Sequence, residues 1–403
     1  MKSLLLFILS ILFISPCFSQ LDLLPAYPNE ISYKGERAYF NGSPFTGILV
    51  DEKTNKQLGK YNNGFKNGLF TEYYTNGKKK NEGKYTLGLK EGAYTEWFEN
   101  GNKKGEFNFN NGKKNGKQQG WFENGQKKSE CFFESEVLNG TSTEWYENGN
   151  KKNECLYSNG KKNGMQQTWL ENGQKLTENN YTNDVFNGTQ QEWYKNGNLK
   201  SEENYLNGVP DSYHTYYNSN NNKQKEVLYN NGEIIKTTDW NNNGTIKSSF
   251  EYINGKIKDG EYIFTDDNGK KINKQTYLNG NKIEEFIFRG EEKNGKLIKW
   301  HNNNILKFEC EYTNGMINGE FKLYDEKGQL ISNGNYSNGL KEGKFSFYND
   351  GNLISDEYYK NDKPEGEINW YYKDGNNMFQ NNQTENNLKY KFWNSNNEII
   401  YEH

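Results

Sequence analysis

Aromatic residues recur along most of this chain at an interval of 24 residues, inside a strongly polar sequence. A fixed interval of this length is typical of tandem-repeat proteins. We take the aromatic residue of each phrase resembling Glu-Trp-Tyr as a marker for one unit. The marker residues are Tyr73, Trp97, Trp121, Trp145, Trp169, Trp193, Tyr217, Trp240, Phe264, Trp300, Tyr324, Phe347 and Tyr371.

Each unit has the pattern of two short strands and two turns. A second ring follows the marker after twelve residues, as Phe109 follows Trp97, and Asn-Gly pairs such as Asn100-Gly101 and Asn111-Gly112 separate the aromatic segments. Asn-Gly is the strongest short-range signal for a hairpin, and Tyr, Phe, Trp and Thr favour strands. Apolar residues show no helical period. The chain is therefore predicted to be all-β, an elongated single-sheet antiparallel meander of about thirteen hairpin units.

The spacing is interrupted at a few places. Short insertions or deletions fall near 218–240, 264–269 and 347–371, and the stretch 270–299 is longer and less regular. We expect an extra half unit there.

Turn length determines which side chains share a face of the sheet. If the loop at Asn100-Gly101 has an even number of residues, Trp97 lies across from Lys104, and Phe98 shares the other face with Phe109. A loop with an odd number of residues would reverse these faces. In either case both faces carry aromatic rows with Lys and Glu between them.

Composition explains why a thin sheet is expected. Hydrophobic residues make up 32% of the 403 residues, which is low for a globular chain, yet aromatic residues reach 16%, which is high for a disordered one. The net charge of −3 gives no basic excess for binding nucleic acid.

The first residues have the form of a secretory signal peptide. Lys2 precedes the apolar run from Leu4 to Ile14, and a small-x-small site ends at Ser19, so cleavage is predicted there and the protein is expected to be exported. Acylation of Cys17 and a retained anchor are the alternatives. No other segment is apolar enough to cross a bilayer, so no transmembrane segment is expected after cleavage.

These features divide the chain into four predicted parts. Residues 1–19 are the signal peptide, and residues 20–38, which lack the repeat and contain Pro25 and Pro28, are a lead-in or cap. Residues 39–393 are the repeat array, and residues 394–403 are a cap or a frayed tail.

Several units resemble the MORN-repeat variant of YwqK-type bacterial proteins. The resemblance is carried by 61–68 (YNNGFKNG), by 72–79 (EYYTNGKK) and by the opening 43–47 (SPFTG), and it covers nearly all of the chain after the signal peptide. It implies a MORN-like sheet and a scaffold that binds other molecules rather than an enzyme. YwqK-type proteins are often described as antitoxin-like, which implies a toxin as one class of partner.

The residues themselves indicate no catalytic centre, cofactor or metal site. His214, His301 and His403 lie far apart, and we expect solvated or turn histidines. Asp266-Asp267-Asn268-Gly269 lacks the spacing of a calcium loop and is expected to form a wide turn. Most glutamates recur with the repeat, as Glu99 and Glu106 do, and are expected to pair across strands with lysines such as Lys103 and Lys104.

The three cysteines beyond the signal peptide share one repeat position, ten residues after the marker. Cys131 and Cys155 are two strands apart, which exceeds the Cα separation of a disulfide. We expect Cys131, Cys155 and Cys310 to be free thiols that act as small apolar side chains. An intermolecular bridge is the alternative.

The aromatic rows are the candidates for binding. Packing within the sheet is one explanation for them, and contact with a partner is the other. The straightest row is the predicted partner-binding surface: Trp97, Trp121, Trp145, Trp169 and Trp193. The leading hypothesis is an exported, non-enzymatic scaffold for a protein partner, and the alternatives are a toxin-neutralising protein and a glycan-binding surface module.

Overall fold

The computed structural model describes residues 25–384 and 387–403. Over that range the chain is all-β, with a single turn of 3₁₀ helix at Pro28–Glu30. The predicted signal peptide, and residues 20–24 of the lead-in, lie outside the described residues. Within the described part of the chain, no helix is long and apolar enough to span a membrane.

The chain divides into two units. Of the described residues, the first unit contains 25–162 and 171–173, and the second contains 163–170, 174–384 and 387–403. The strands of the first unit are β1 Pro25–Ala26, β2 Ile31–Lys34, β3 Arg37–Phe40, β4 Ser43–Pro44, β5 Gly47–Val50, β6 Gln57–Asn62, β7 Phe65–Lys66, β8 Gly68–Tyr73, β9 Lys79–Thr86, β10 Leu89–Trp97, β11 Lys103–Asn110, β12 Lys113–Trp121, β13 Lys127–Glu134, β14 Val137–Leu138, β15 Gly140–Trp145 and β16 Lys151–Ser158.

The second unit continues the same alternation of strands and turns. Its strands are β17 Lys161–Trp169, which belongs to this unit from Asn163, β18 Lys175–Thr182, β19 Val185–Phe186, β20 Gly188–Trp193, β21 Leu199–Leu206, β22 Val209–Pro210, β23 Ser212–Tyr217, β24 Lys223–Asn230, β25 Glu233–Trp240, β26 Ile246–Ile253, β27 Lys256–Ile257, β28 Gly260–Thr265, β29 Lys271–Leu278, β30 Asn281–Arg289, β31 Glu291–Trp300, β32 Leu306–Thr313, β33 Met316–Tyr324, β34 Leu330–Ser337, β35 Leu340–Asn349, β36 Asn352–Lys360, β37 Lys363–Tyr371, β38 Asn377–Thr384, β39 Asn387–Trp393 and β40 Ile399–Glu402.

Consecutive strands pair in antiparallel fashion through two kinds of turn. The tight turn is an Asn-Gly pair such as Asn111-Gly112, whose φ angles of 49° and 78° are both positive. Such angles define the mirror-image turn that matches the twist of a hairpin, and Asn and Gly tolerate them. This agrees with the prediction made from the Asn-Gly pairs.

The wide turn follows the marker residue in most units. After Trp97, the amide of Phe98 donates to the carbonyl of Asn102, and the amide of Gly101 donates to the carbonyl of Phe98. The Asn100 side chain accepts from the amide of Asn102 at 2.8 Å and donates to the carbonyl of Glu123, in the next wide turn, at 3.1 Å. This wide turn is therefore hydrogen-bonded to the wide turn of the next repeat.

Asparagine makes the same contact along the first unit. Three further pairs repeat it, with donor-to-acceptor distances of 2.7–3.2 Å: Asn76 to Glu99, Asn124 to Glu147 and Asn148 to Glu171. The abundance of asparagine in the sequence is explained in part by this ladder, because one amide side chain both closes its own turn and holds the neighbouring turn.

The N-terminal end of the first unit has an aliphatic and aromatic core. Its buried residues are Ala26, Ile31, Ala38, Phe45, Leu49, Tyr61 and Phe70. Strand β1 pairs in parallel with β5, and β2 and β3 form a hairpin. Hairpins therefore begin at Ile31, before the predicted start of the array at residue 39.

A row of rings continues from this core along one face of the first unit. Phe70 contacts Tyr85 with ring centroids 5.4 Å apart, and Tyr94 contacts Phe109 at 6.2 Å. The lysines of the same face cover the rings, as Lys90 does for Tyr94 at 3.5 Å from the centroid. We call this face, which carries Tyr94, Phe109 and Phe133, the ring face.

The irregular stretch holds one additional strand, as predicted. Two strands normally separate successive wide turns, but three strands, β29 to β31, separate the wide turn at 266–270 from the wide turn at 301–305. The markers on either side, Thr265 and Trp300, are 35 residues apart instead of 24. Residues 281–291 account for the difference.

The additional strand reverses the two faces of the sheet in the second unit. Strands β28 to β40 form one sheet in sequence order. Residues paired across strands share a face, so Tyr277 shares a face with Gln275, Glu285 and Ile298, whereas Phe286 shares the opposite face with Leu297. Tyr312, the ring equivalent to Tyr277 in the next repeat, lies on the Leu297 face. Rings equivalent by sequence therefore lie on opposite faces before and after β30.

Two marker assignments differ from the structure by one residue. The irregularity that marks each wide turn falls at Thr265 rather than Phe264 and at Tyr348 rather than Phe347. In the second case the wide turn is shortened to the tight turn Asp350-Gly351, which shifts the register. The last ten residues also continue the pattern, because β40 pairs with β39 beyond a further wide turn at 394–398.

Candidate functional site

A β-bulge beside the wide turn sets which residue pairs with the marker tryptophan. In the first unit Glu96 pairs with Gly105, but Trp97 pairs with Lys103, so Lys104 is the extra residue. The expectation that Trp97 lies across from Lys104 is wrong, because it did not include this bulge. Lys104 lies over the Phe98 ring instead, 6.0 Å from its centroid.

Alternation along each strand places Trp97, Trp121 and Trp145 on the face opposite the ring face. Trp121 follows Gln119 on alternate positions of β12, and Gln119 pairs with Glu130, whereas Gln118 pairs with Cys131 on the ring face. All three tryptophans are half-buried. We call this surface of the first unit the tryptophan face.

Lysines lie between the tryptophans of this face. Lys103 comes from the repeat that precedes Trp121, and its Nζ lies 5.1 Å from the centroid of that ring. Lys127 is placed in the same way 5.5 Å from the Trp145 ring. Each such cation–π contact is worth about 0.5–1 kcal/mol at a partly exposed site. The row therefore alternates rings with ammonium groups.

Each of these lysines also binds a glutamate. The Lys103 Nζ lies 2.6 Å from Glu106, and the Lys127 Nζ lies 2.6 Å from Glu130. The partners are three residues apart on one strand, across the bulge, so the expected cross-strand pairing is wrong for Glu106. Glu130 also accepts from Gln119 at 2.9 Å, and Lys117 on the neighbouring strand lies 3.1 Å from it.

The other two tryptophans of the predicted row lie in the second unit. Trp169 pairs with Lys175 next to a bulge, and Lys175 lies 5.4 Å from the Trp193 ring and 2.6 Å from Glu178. Both Trp169 and Trp193 are half-buried. The same ring–lysine–glutamate arrangement is thus built in both units.

Hydrogen bonds from Lys175 and Gln167 hold the pKa of Glu178 below its ordinary value of 4.5. A lowered pKa in the folded state stabilises the fold above the unfolded pKa, and this contribution is lost as the pH falls through the folded value. We therefore expect Glu178→Gln to lower the urea midpoint at pH 7, with the difference from wild type shrinking as the pH falls below about 4.5. Unfolding curves between pH 3 and pH 7 measure this, and Glu171→Gln, at an exposed turn position, is the control. A difference that stays constant with pH would contradict the assignment.

Phe132 and Leu156 on the tryptophan face were not singled out from the sequence. Phe132 is 47% exposed and Leu156 is 43% exposed, and they occupy equivalent positions in successive repeats. The sequence feature that could have identified them is their position directly after Cys131 and Cys155. Because those thiols lie on the ring face, their neighbours along the strand point the other way.

The cysteines are free thiols in this structure. Cys155 and Cys310 are buried, and burial raises the pKa of the Cys310 thiol to about 11. A thiol that stays protonated at neutral pH is a poor nucleophile. The observed role agrees with the prediction of small apolar side chains.

The histidines and aspartates form no catalytic arrangement in the described residues. His214 is buried rather than solvated, and its Nε2 lies 2.6 Å from the carbonyl of Asn204, between the rings of Tyr205 and Tyr229. Asp266 closes the expected wide turn by accepting from the amides of Asn268 and Lys270. Within the described range, no group of three or more His, Cys, Asp or Glu is placed to hold a metal ion.

A tandem unit built around one wide turn, with one bulge and with rings on both faces, can be compared with known repeats. Six segments match the MORN repeat variant. They are residues 66–86, 90–111, 114–135, 138–159, 186–207 and 317–338. Each segment begins and ends near a tight turn and contains one wide turn, so one MORN repeat variant corresponds to one hairpin of the structure. The matched MORN repeats include Trp97, Trp121, Trp145 and Trp193.

The comparison with solved structures gives two long but weak likenesses. One is a crystal structure of TcdB2-TccC3-TEV, at 12% identity over 91% of this chain and 21% of that chain, with a TM-score of 0.17. The other is a crystal structure of TcdB2-TccC3 without the hypervariable C-terminal region, at 10% identity over 92% and 21%, with a TM-score of 0.16. This chain spans only 21% of the length of either. The comparison with curated proteins found no match.

Proposed function

We propose that this chain is an exported scaffold that binds a protein partner through the tryptophan face of its first unit. The observation that carries the proposal is the alignment of half-buried tryptophans with two exposed apolar side chains, Phe132 and Leu156, on one face of a repeated sheet. Tryptophan is enriched where protein interfaces concentrate their binding energy. MORN repeats are non-enzymatic scaffolds in general, which supports the same conclusion.

A protein partner fits this face better than a sugar does. Stacking on a sugar needs an open ring face, but Lys103 lies over Trp121 and Lys127 lies over Trp145. The surface instead offers ring edges, lysine stems and paired charges, a mixture that complements polypeptide. The glycan-binding alternative is therefore the weaker one.

Export and the class of partner are parts of the same proposal. Export is supported by the apolar run from Leu4 to Ile14 after Lys2. The resemblance to YwqK-type proteins supports a toxin as one class of protein partner, because neutralising a toxin needs only binding. A toxin gene adjoining this gene, with loss of toxicity on co-expression, would support that role.

Capture of the partner from cells and culture medium of the native organism tests the proposal. We expect a protein to be recovered by wild type and lost with the double variant Phe132→Glu/Leu156→Glu, because buried charges weaken an apolar contact. Leu87→Glu is the matched control, since Leu87 is 67% exposed but lies in a tight turn. Recovery of the same proteins by all three chains, or of none by wild type, would overturn the proposal.

A further inference from the structure

The tryptophans of the first unit are spaced regularly enough to select a ligand. Trp97, Trp121 and Trp145 mark successive repeats, and two strands separate each from the next. Neighbouring strands lie about 4.7–4.9 Å apart, so the rings recur every ~9.6 Å along the sheet. A ligand that lies along the row must present a contact at the same interval.

Polyproline II is the peptide conformation with that interval. It has three residues per turn and rises about 3.1 Å per residue, so every third side chain returns to the same side after ~9.3 Å. Proline-rich segments in this conformation bind aromatic-lined surfaces, and they lose little entropy because they are already extended. Over three tryptophans the mismatch accumulates to less than about 1 Å.

A row of carboxylates follows the tryptophans at the same interval. Glu99, Glu123 and Glu147 stand two residues beyond Trp97, Trp121 and Trp145, and all three side chains are exposed. The asparagine ladder fixes their backbone, since their carbonyls accept from asparagine side chains of the preceding turn. A ligand on the tryptophan row therefore has one negative charge beside it for every turn of polyproline II.

We propose that the tryptophan face binds a proline-rich segment in the polyproline II conformation that carries Lys or Arg at every third position. Prolines contact the edges of the tryptophans and the lysine stems between them, and the basic side chains pair with Glu99, Glu123 and Glu147. This inference rests on the proposed protein-binding function and names the chemistry of the partner.

Binding of defined peptides to the intact chain tests it. The probe is (Pro-Pro-Lys)₅, followed by titration calorimetry and by tryptophan fluorescence. The controls are (Gly-Ser-Lys)₅, which has the same charge without the polyproline II preference, and (Pro-Pro-Glu)₅, which has the opposite charge. We expect (Pro-Pro-Lys)₅ to bind at least about tenfold more tightly than either control, and to bind more weakly in 1 M salt.

Variants of the carboxylate row identify the site. Each exposed ion pair changes affinity by about 1.4- to 5-fold, so Glu99→Gln/Glu123→Gln/Glu147→Gln is expected to weaken (Pro-Pro-Lys)₅ about tenfold. The matched control, Glu36→Gln/Glu72→Gln/Glu136→Gln, makes the same change of net charge at exposed positions outside the carboxylate row. It is expected to change affinity by less than about twofold.

Two results would overturn the inference. One is equal or absent binding of (Pro-Pro-Lys)₅ and (Gly-Ser-Lys)₅, and the other is an equal effect of the two triple variants. Either result leaves the proposed function standing if the Phe132→Glu/Leu156→Glu variant still loses its captured partner. If the peptide result contradicts the inference and the Phe132→Glu/Leu156→Glu variant also keeps its captured proteins, the tryptophan face is excluded as a binding surface.

Discussion

Replacing Phe345 with alanine is expected to destabilise the C-terminal sheet by about 3–5 kcal/mol. Phe345 is 2% exposed, and its ring contacts Tyr336 and Tyr359 with centroids 5.4 Å apart in both cases. It also covers Gly334, where a Cβ would come within 2.4 Å of the ring. Few aliphatic residues are present to close the cavity, so the loss of one ring is poorly compensated.

Hydrogen exchange followed by mass spectrometry is the appropriate measurement. Repeats contact mainly their neighbours, so unfolding can be local and a single melting temperature would average over it. We expect protection of β34 to β36 to fall about a hundredfold or more, with little change in the first unit. Tyr358→Ala is the matched control, because Tyr358 is 38% exposed on the opposite face. Equal effects of the two variants would contradict the assigned packing.

The repeat and its turns could be predicted from sequence because they depend on local chemistry. Asn111 and Gly112 are residue types that tolerate positive φ, and the interval between Trp97, Trp121 and Trp145 can be counted in the sequence. The extra half unit followed from the same counting. The all-β class and the position of the hairpins therefore needed no knowledge of tertiary structure.

Which side chains meet on one face of the sheet could not be predicted from the sequence in the same way. One extra residue at each bulge moved the partner of Trp97 from Lys104 to Lys103, and this decided where Lys103 and Glu106 meet. A bulge has no strong sequence signature here, because Lys103 and Lys104 are the same residue type. Which side chains form the candidate site is therefore a property of the register rather than of the repeat itself.

His214 shows a second limit. Gln190 occupies the equivalent position one repeat earlier, and its Nε2 donates to the carbonyl of Asn180 as the His214 ring contacts the carbonyl of Asn204. The sequence suggested a solvated or turn histidine because His214, His301 and His403 lie far apart, without the spacing of a metal site. The structure shows one buried role filled by two side chains that can both supply an N–H donor.

Deletion of residues 281–291 is expected to return the second unit to a single ring face. The deletion joins Gly280 to Glu292 and reduces the interval between Thr265 and Trp300 from 35 to 24 residues. Because consecutive strands alternate in direction, removing one strand turns every later repeat over relative to β28 and β29. By equivalence with Glu82 and Thr95 in the first unit, Lys274 and Ile298 would become directly paired neighbours.

A pair of cysteines measures this change. In wild type Lys274 pairs with Phe286, and Ile298 pairs with Glu285 on the other face, so Lys274→Cys/Ile298→Cys cannot form a disulfide. In the deletion variant the same substitutions lie within the reach of a disulfide, and oxidation followed by peptide mapping is expected to show the bridge. Gln275→Cys/Glu285→Cys, which are paired in wild type, show that bridging across these strands is detectable.

A bridge between positions 274 and 298 in the full-length chain would contradict the inversion. So would the absence of a bridge in a deletion variant that keeps its strand signal in circular dichroism. The test is decisive because removing one strand changes both the distance between positions 274 and 298 and the face of the sheet on which position 298 lies.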